Sequence, residues 1–223
     1  MSKGTQISLI LCAIVLAAAL ALYQMHSVKS ETVLTNPLPE TTISDGIIEF
    51  EQPSDFGLAT TPEQILVSAY IPPCDSGFKY CLYYHGNEYK NTNFESAGLS
   101  IRTRDNFSKQ EQCLTTPPEG YANMTPSVAR EYPTYAVSAF SPLGDAAVGH
   151  YTTGEEYRIF VRDTCYQLDV RVGETQFQNY PEGSIEEFTK SNRTAMLSRL
   201  RTVAQNILLV EEHGTVPLVL PRP

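Results

Sequence analysis

Hydrophobic positions along the chain fall into three regimes: one uninterrupted apolar run, a region of period-two alternation, and a late stripe of helical period. The run is residues 7–23, ISLILCAIVLAAALALY, with Lys3 before it and His26 and Lys29 after it. A bilayer span takes about 20 apolar residues, with about 17 as the lower limit. The same run fits the apolar core of a secretory signal, with Ala19 and Ala21 as small residues of a cleavage site. Residues 1–26 are therefore expected to be a transmembrane helix that anchors the chain in the membrane, or a signal peptide. With the positive N-terminus kept in the cytoplasm, the remainder lies outside. Residues 27–45, SVKSETVLTNPLPETTISD, show neither period and have the Ser/Thr/Pro/Glu composition of a flexible linker.

From Gly46 onward, short apolar segments are punctuated by turn residues. GIIEFEQP predicts a strand that stops at Pro53, and EQILVSAYI one that stops at Pro72 and Pro73, which cannot donate to a ladder. FKYCLYYH alternates, with Phe78, Tyr80, Leu82 and Tyr84 on one face and Lys79, Cys81, Tyr83 and His85 on the other. SAGLSIRTR and TYAVSAF predict further strands. Between these two, residues 104–134 read as loop, with brief helix potential at residues 127–131. The clearest hairpin is EYRIFVRDTCYQLDVRVGE. Tyr157, Ile159 and Val161 alternate on its first arm, and Tyr166, Leu168, Val170 and Val172 on its second. The opposite face of that second arm, Cys165, Gln167, Asp169 and Arg171, is expected to be the more exposed one.

The helical period comes last. Met196, Leu200, Val203 and Ile207 recur at four, three and four, with Leu197, Ala204 and Leu208 widening the stripe. Ser191 or Asn192 is expected to cap its start. The tail, residues 213–223, is proline-rich and extended. The expected fold is α+β over residues 46–212: an antiparallel sheet with one dominant C-terminal helix packed on it, following the N-terminal hydrophobic helix.

In layout, GIIEFEQPSDFGLA and then CYQLDVRVGETQFQNYPEGSIEEFTKSNRTAMLSRLRTVAQNILLV resemble PsbP/Mog1-like α/β domains. There an early strand precedes a proline, and a late strand, loop and helix close the sheet. The resemblance covers residues 46–71 and 155–209. That family often carries Trp after the early proline, where this chain has Phe56. It implies a non-catalytic binding or assembly module and transfers no site residue.

Composition narrows the functions. With 16 Lys+Arg against 25 Asp+Glu the net charge is −9, and no basic cluster offers a surface for nucleic acid. Beyond Cys12 stand four cysteines, Cys74, Cys81, Cys113 and Cys165, and an even number in an exported chain favours disulfides. Of the three pairings, Cys74–Cys81 with Cys113–Cys165 is preferred, because Asp75, Ser76 and Gly77 let the first segment turn back. Loop-closure entropy assigns about 2.5 kcal/mol to the short loop and about 4 kcal/mol to the long one. A zinc site needs closer ligand spacing, and a redox site needs C-x-x-C, so neither a metal nor a cofactor is expected.

His150 lies among small residues in GDAAVGHYTT, a place for a base or ligand or for a backbone-bonded structural histidine. The acid pairs Glu155–Glu156, Glu186–Glu187 and Glu211–Glu212 read as solvated surface, since strand neighbours point apart. Tyr80, Tyr83, Tyr84, His85 and Tyr89 form a stretch suited to partner contact, tyrosine giving area at low entropy cost; ordinary sheet packing is the preferred account of these tyrosines. The expected function is thus a membrane-anchored or secreted, disulfide-stapled extracytoplasmic binding or structural module of unknown ligand, with a protein as a possible partner. The alternative is an extracytoplasmic hydrolase using scattered acids with His85 or His150.

Overall fold

The computed structural model describes residues 42–212 and 214–222. The expected anchor or signal at residues 1–26, and the linker up to residue 41, lie outside the described residues. Among those described, no helix is long and apolar enough to cross a membrane.

In chain order the elements are β1 (Thr42–Ser44), β2 (Ile48–Glu51), β3 (Phe56–Ala59), β4 (Tyr80–Tyr84), β5 (Phe94–Thr103), α1 (Gln110–Thr115), β6 (Val128–Glu131), β7 (Ala136–Ala147), β8 (His150–Val161), β9 (Thr164–Thr175), α2 (Lys190–Gln205), β10 (Leu208–Glu211) and β11 (Gly214–Pro217). The strands form two antiparallel sheets, a small one in the order β1-β2-β10-β11 and a large one in the order β3-β4-β5-β9-β8-β7-β6.

The expectation of one sheet dominated by one helix is therefore wrong. The described chain is mostly β, with two sheets and two helices. Helix α2 forms over most of its stripe, because a 3.6-residue period is a local property, but it ends at Gln205, and the last stripe residues leave it: Ile207 follows its end and Leu208 opens β10. The small sheet is not local: Leu208 pairs with Glu49 and Leu209 with Ile48, joining two ends of the domain. Thus residues at the end of the expected linker and in the expected tail are strands β1 and β11.

Two further segments depart from their patterns. EQILVSAYI forms a short 3-10 turn at Pro62–Gln64 followed by irregular chain. Its backbone groups are satisfied by side chains of β5: Glu95 accepts the N–H groups of Tyr70 and Ile71, and Ser96 Oγ donates to the Ile71 carbonyl. Groups held in this way are not free for a ladder. Residues 127–131, expected to have helix potential, instead supply β6, which pairs with β7 from Val128 opposite Ala139 to Glu131 opposite Ala136.

One face of the large sheet is apolar. Leu99 and Ile101 of β5, Leu168 and Val170 of β9, and Tyr157 and Ile159 of β8 are buried there. They form one core with Met196, Leu200 and Val203 of α2 and with Ile48, Phe50 and Leu209 of the small sheet. Each such side chain contributes about 1.5–3 kcal/mol on burial. Helix α2 is capped at Thr189, not at Ser191 or Asn192: Thr189 Oγ1 accepts the Asn192 N–H at 3.3 Å, and Asn192 Oδ1 accepts the Thr189 N–H at 2.9 Å.

The opposite face is covered by loops and by α1. Disulfide Cys113–Cys165 ties α1 to β9, and Ser138 Oγ of β7 donates to the Leu114 carbonyl at 2.7 Å. Disulfide Cys74–Cys81 ties the 60–79 loop to β4. Around it Ala59, Phe78 and Tyr83 form a small second apolar cluster. Pro73 passes so close over β5 that a Cβ on Gly98 would lie 2.7 Å from the Pro73 carbonyl oxygen, so glycine is required there.

Both disulfides are the pairs preferred from the sequence, and both fit an oxidising, extracytoplasmic environment. Their unequal loops make a prediction. Replacing Cys113 and Cys165 by Ser should cost about 4 kcal/mol in urea unfolding, and replacing Cys74 and Cys81 about 2.5 kcal/mol. Equal losses, or the reverse order, would contradict the assignment of the longer link as the main constraint.

Candidate functional site

Strand β8 places two successive glutamates on opposite faces of the large sheet, and each is only 3% exposed. The solvated reading of Glu155–Glu156 is thereby overturned. Residues of a strand do point apart, but here both faces are covered.

Glu155 enters the apolar side. It accepts hydrogen bonds from Arg201 Nε of α2 at 2.7 Å, Tyr157 Oη at 2.7 Å and Ser141 Oγ at 3.2 Å. Burial alone would raise its pKa, but these donors and the Arg201 charge outweigh it and hold the carboxyl below its ordinary value. Glu155 is thus a charged peg that fastens α2 to the sheet.

Glu156 enters the other side, where the strand register assembles a polar group. Glu156 lies opposite Asp169 and Arg158 opposite Gln167 across β8 and β9. Ser100 lies opposite Asp169 and Arg102 opposite Gln167 across β5 and β9. Two rows result, one of Ser100, Asp169 and Glu156 and one of Arg102, Gln167 and Arg158.

Gln167 holds the rows together. Its Nε2 donates to Glu156 Oε2 at 3.0 Å and to Asp169 at 2.9 Å, and its Oε1 accepts from Arg104 Nη1 at 3.1 Å. Arg102 pairs with Asp169 at 3.1 Å, Ser100 Oγ donates to the same carboxylate at 3.1 Å, and Arg158 Nε donates to Glu156. Phe107 lies beneath two guanidiniums, 5.1 Å from that of Arg104 and 5.6 Å from that of Arg158.

Above this group is a cavity of about 230 Å³, with Arg102, Arg104, Glu156, Gln167 and Asp169 in its wall. Its rim carries Glu119, Tyr121 and Asp145, and Tyr121 Oη is fixed to Gly144 by accepting its N–H at 2.9 Å and donating to its carbonyl at 2.7 Å. Burial pushes the Glu156 carboxyl up to about 8, the neighbouring Asp169 charge adds to the shift, and Arg158 opposes it.

The residues singled out in the sequence lie elsewhere. Tyr83, Tyr84 and Tyr89 are buried, so the stretch proposed for partner contact is mostly core: Tyr84 packs edge-on against Phe56 and Phe94, and Tyr89 against Phe188. Tyr80 is half-buried and packs against Phe50, while His85 is exposed beyond the end of β4. His150 pairs through Nδ1 with Glu95 at 2.8 Å under the stacked ring of Tyr70, 4.1 Å away. Since the same Glu95 holds the Tyr70 and Ile71 amides, this pair fastens the 60–79 loop to the sheet. Neither histidine lines the cavity, and strands β5 and β9 separate β4 from β8. Among the described residues no cluster of His, Cys, Asp and Glu has the geometry of a metal site.

The site residues Arg102, Arg104, Glu156, Arg158, Gln167 and Asp169 left one trace in the sequence: the polar stripe Cys165, Gln167, Asp169 and Arg171 opposite the apolar face of β9. Its burial was not legible, because the cover comes from other parts of the chain, among them α1, residues 118–121 and Asp145. Comparison with protein-family models finds no match for this chain, and comparison with curated proteins finds no significant one.

The raised Glu156 carboxyl has a definite effect on stability. Folded Glu156 keeps its proton between its ordinary 4.5 and about 8, where the unfolded residue has lost it. Its contribution is therefore full below 4.5 and is lost as pH rises through that window. Glu156→Gln cannot titrate, so its stability relative to the wild type should improve steadily from pH 5 to pH 8 in paired urea titrations. A difference that stays flat with pH would show that Glu156 is ionised in the fold.

Proposed function

We propose that the protein is an exported or membrane-tethered binding module whose ligand is a small polar molecule seated in the cavity beneath the loop cover. The observation that carries this reading is the wall of an open volume in which the buried Glu156 and Gln167 meet the half-buried Asp169 and Arg102. Apolar residues of similar size commonly replace a buried charge cluster with no loss, or with a gain of about 1–4 kcal/mol. Convergent polar groups in a concave, preformed space are the usual makings of a ligand site.

The disulfides support the compartment, and they fasten the cover whose position defines the cavity. The apolar run at residues 7–23 supports export or tethering. The PsbP/Mog1-like layout of residues 46–71 and 155–209 points to the same class of non-catalytic module. The hydrolytic alternative required a histidine beside the acids, and both histidines it named stand outside the cavity wall.

The test is a thermal-shift panel of amino acids, hexoses, dicarboxylic acids and nucleosides on the full-length oxidised protein. At least one class should stabilise it saturably, and Gln167→Leu, which removes the amide joining the two rows, should abolish that effect. Stabilisation by none of them, or stabilisation unchanged in Gln167→Leu, would overturn the reading.

A further inference from the structure

The structure assigns the cavity to an oxyanion: we propose that it takes a small ligand bearing a carboxylate, phosphate or sulfate group, with Arg104 as the principal anchor. This rests on the binding-module reading and names the class of ligand.

The case starts from which charges are already committed. Arg102 is paired with Asp169 at 3.1 Å and approaches Asp75 at 3.7 Å; Arg171 is paired with Asp75, and Arg158 with Glu156. Arg104 differs. Its contacts are a neutral one, the Gln167 amide oxygen at 3.1 Å, and the face of Phe107. Among the described residues no carboxylate forms an ion pair with it. The uncommitted carboxylates of the cavity, Glu119 and Asp145, are at its exposed rim. The uncommitted charge in the interior is thus a guanidinium.

Unfilled hydrogen-bonding capacity points the same way. Arg102 Nε, in the cavity wall, is buried with no partner among the described residues, and so is Arg158 Nη1, which lies beside the wall rather than in it. Arginine carries donors and no acceptor, so each of these atoms lacks an acceptor specifically. Leaving a buried donor unmade is costly, more so when it is charged. A guanidinium fork matches the planar oxygens of a carboxylate or the oxygens of a phosphate, which makes arginine the usual receptor for both. Burial and the charge of nearby Arg158 both weigh against the charged form of Arg104, and an anion would relieve that repulsion.

The acids do not contradict this. Asp169 and Asp75 are paired with arginines, and a Glu156 that keeps its proton adds no negative charge to the cavity. A cationic ligand would meet Arg104 with no interior carboxylate left to receive it. A volume of about 230 Å³ limits the ligand to a small molecule.

The experiment uses the full-length oxidised protein in detergent at pH 6, with phosphate, sulfate and acetate as probes against sodium chloride at equal ionic strength. Erythritol and choline serve as the neutral and cationic controls. An oxyanion should raise the melting temperature along a saturating curve, and at about 100 times its Kd should shift the folding equilibrium about 100-fold. Arg104→Gln should remove the saturating component while leaving the general salt effect. Should that variant not fold, selenate soaked into wild-type crystals should appear beside Arg104. Saturable, Arg104-dependent binding of erythritol or choline in place of the oxyanions would overturn the oxyanion assignment and leave the binding module standing. Silence from all five probes together with an empty selenate map would overturn the oxyanion assignment, and the panel of larger polar molecules described above would then decide the binding reading separately.

Discussion

Alternation along β8 is the constraint from which the rest follows. A strand sends successive side chains to opposite faces, so Glu155 and Glu156 must enter two different environments. On one side Glu155 finds Arg201 and becomes the charged fastening of a helix to an apolar sheet face. On the other, Glu156 finds Asp169 and Arg158 and becomes part of a polar interior. Neither environment is tolerable without the other elements. The first needs α2 in register over β8, and the second needs a cover that closes one side of the polar face.

That cover has little regular structure, and it is held at a few points. Cys113–Cys165 fixes α1 at one end of β9, and Cys74–Cys81 fixes the 60–79 loop beside β4. Between them Glu95 collects three partners, two backbone amides and His150, at the point where the 60–79 loop crosses the sheet. Loops of this kind form few contacts of their own and gain most from covalent closure. An oxidising compartment is therefore a condition for the cavity as well as a setting for the chain.

Sequence patterns reported what is local. The β8–β9 hairpin, the turn at Arg162 and Asp163, the stripe of α2 and the two cysteine pairs were legible because each depends on residues close in the chain or on loop length. The small sheet was not, since β2 and β10 meet across most of the domain. EQILVSAYI looked like a strand by composition, yet Glu95 and Ser96 took its backbone groups. The site was half legible. The stripe Gln167, Asp169 and Arg171 was visible, but period-two alternation says which residues share a face and is silent on what covers it. Tyrosine and histidine drew attention as chemistry-bearing residues, whereas the groups brought together are arginines, acids and one glutamine.

The central claim is that two adjacent glutamates of one strand are held in opposite protonation states by the two faces they serve. The most direct measurement is a pH titration of the side-chain carboxyl carbons in ¹³C-glutamate-labelled protein. The account predicts a Glu155 signal that stays ionised to below its ordinary value and a Glu156 signal that stays protonated through neutral pH. Parallel titration of both carboxyls near 4.5, their ordinary value, would contradict it.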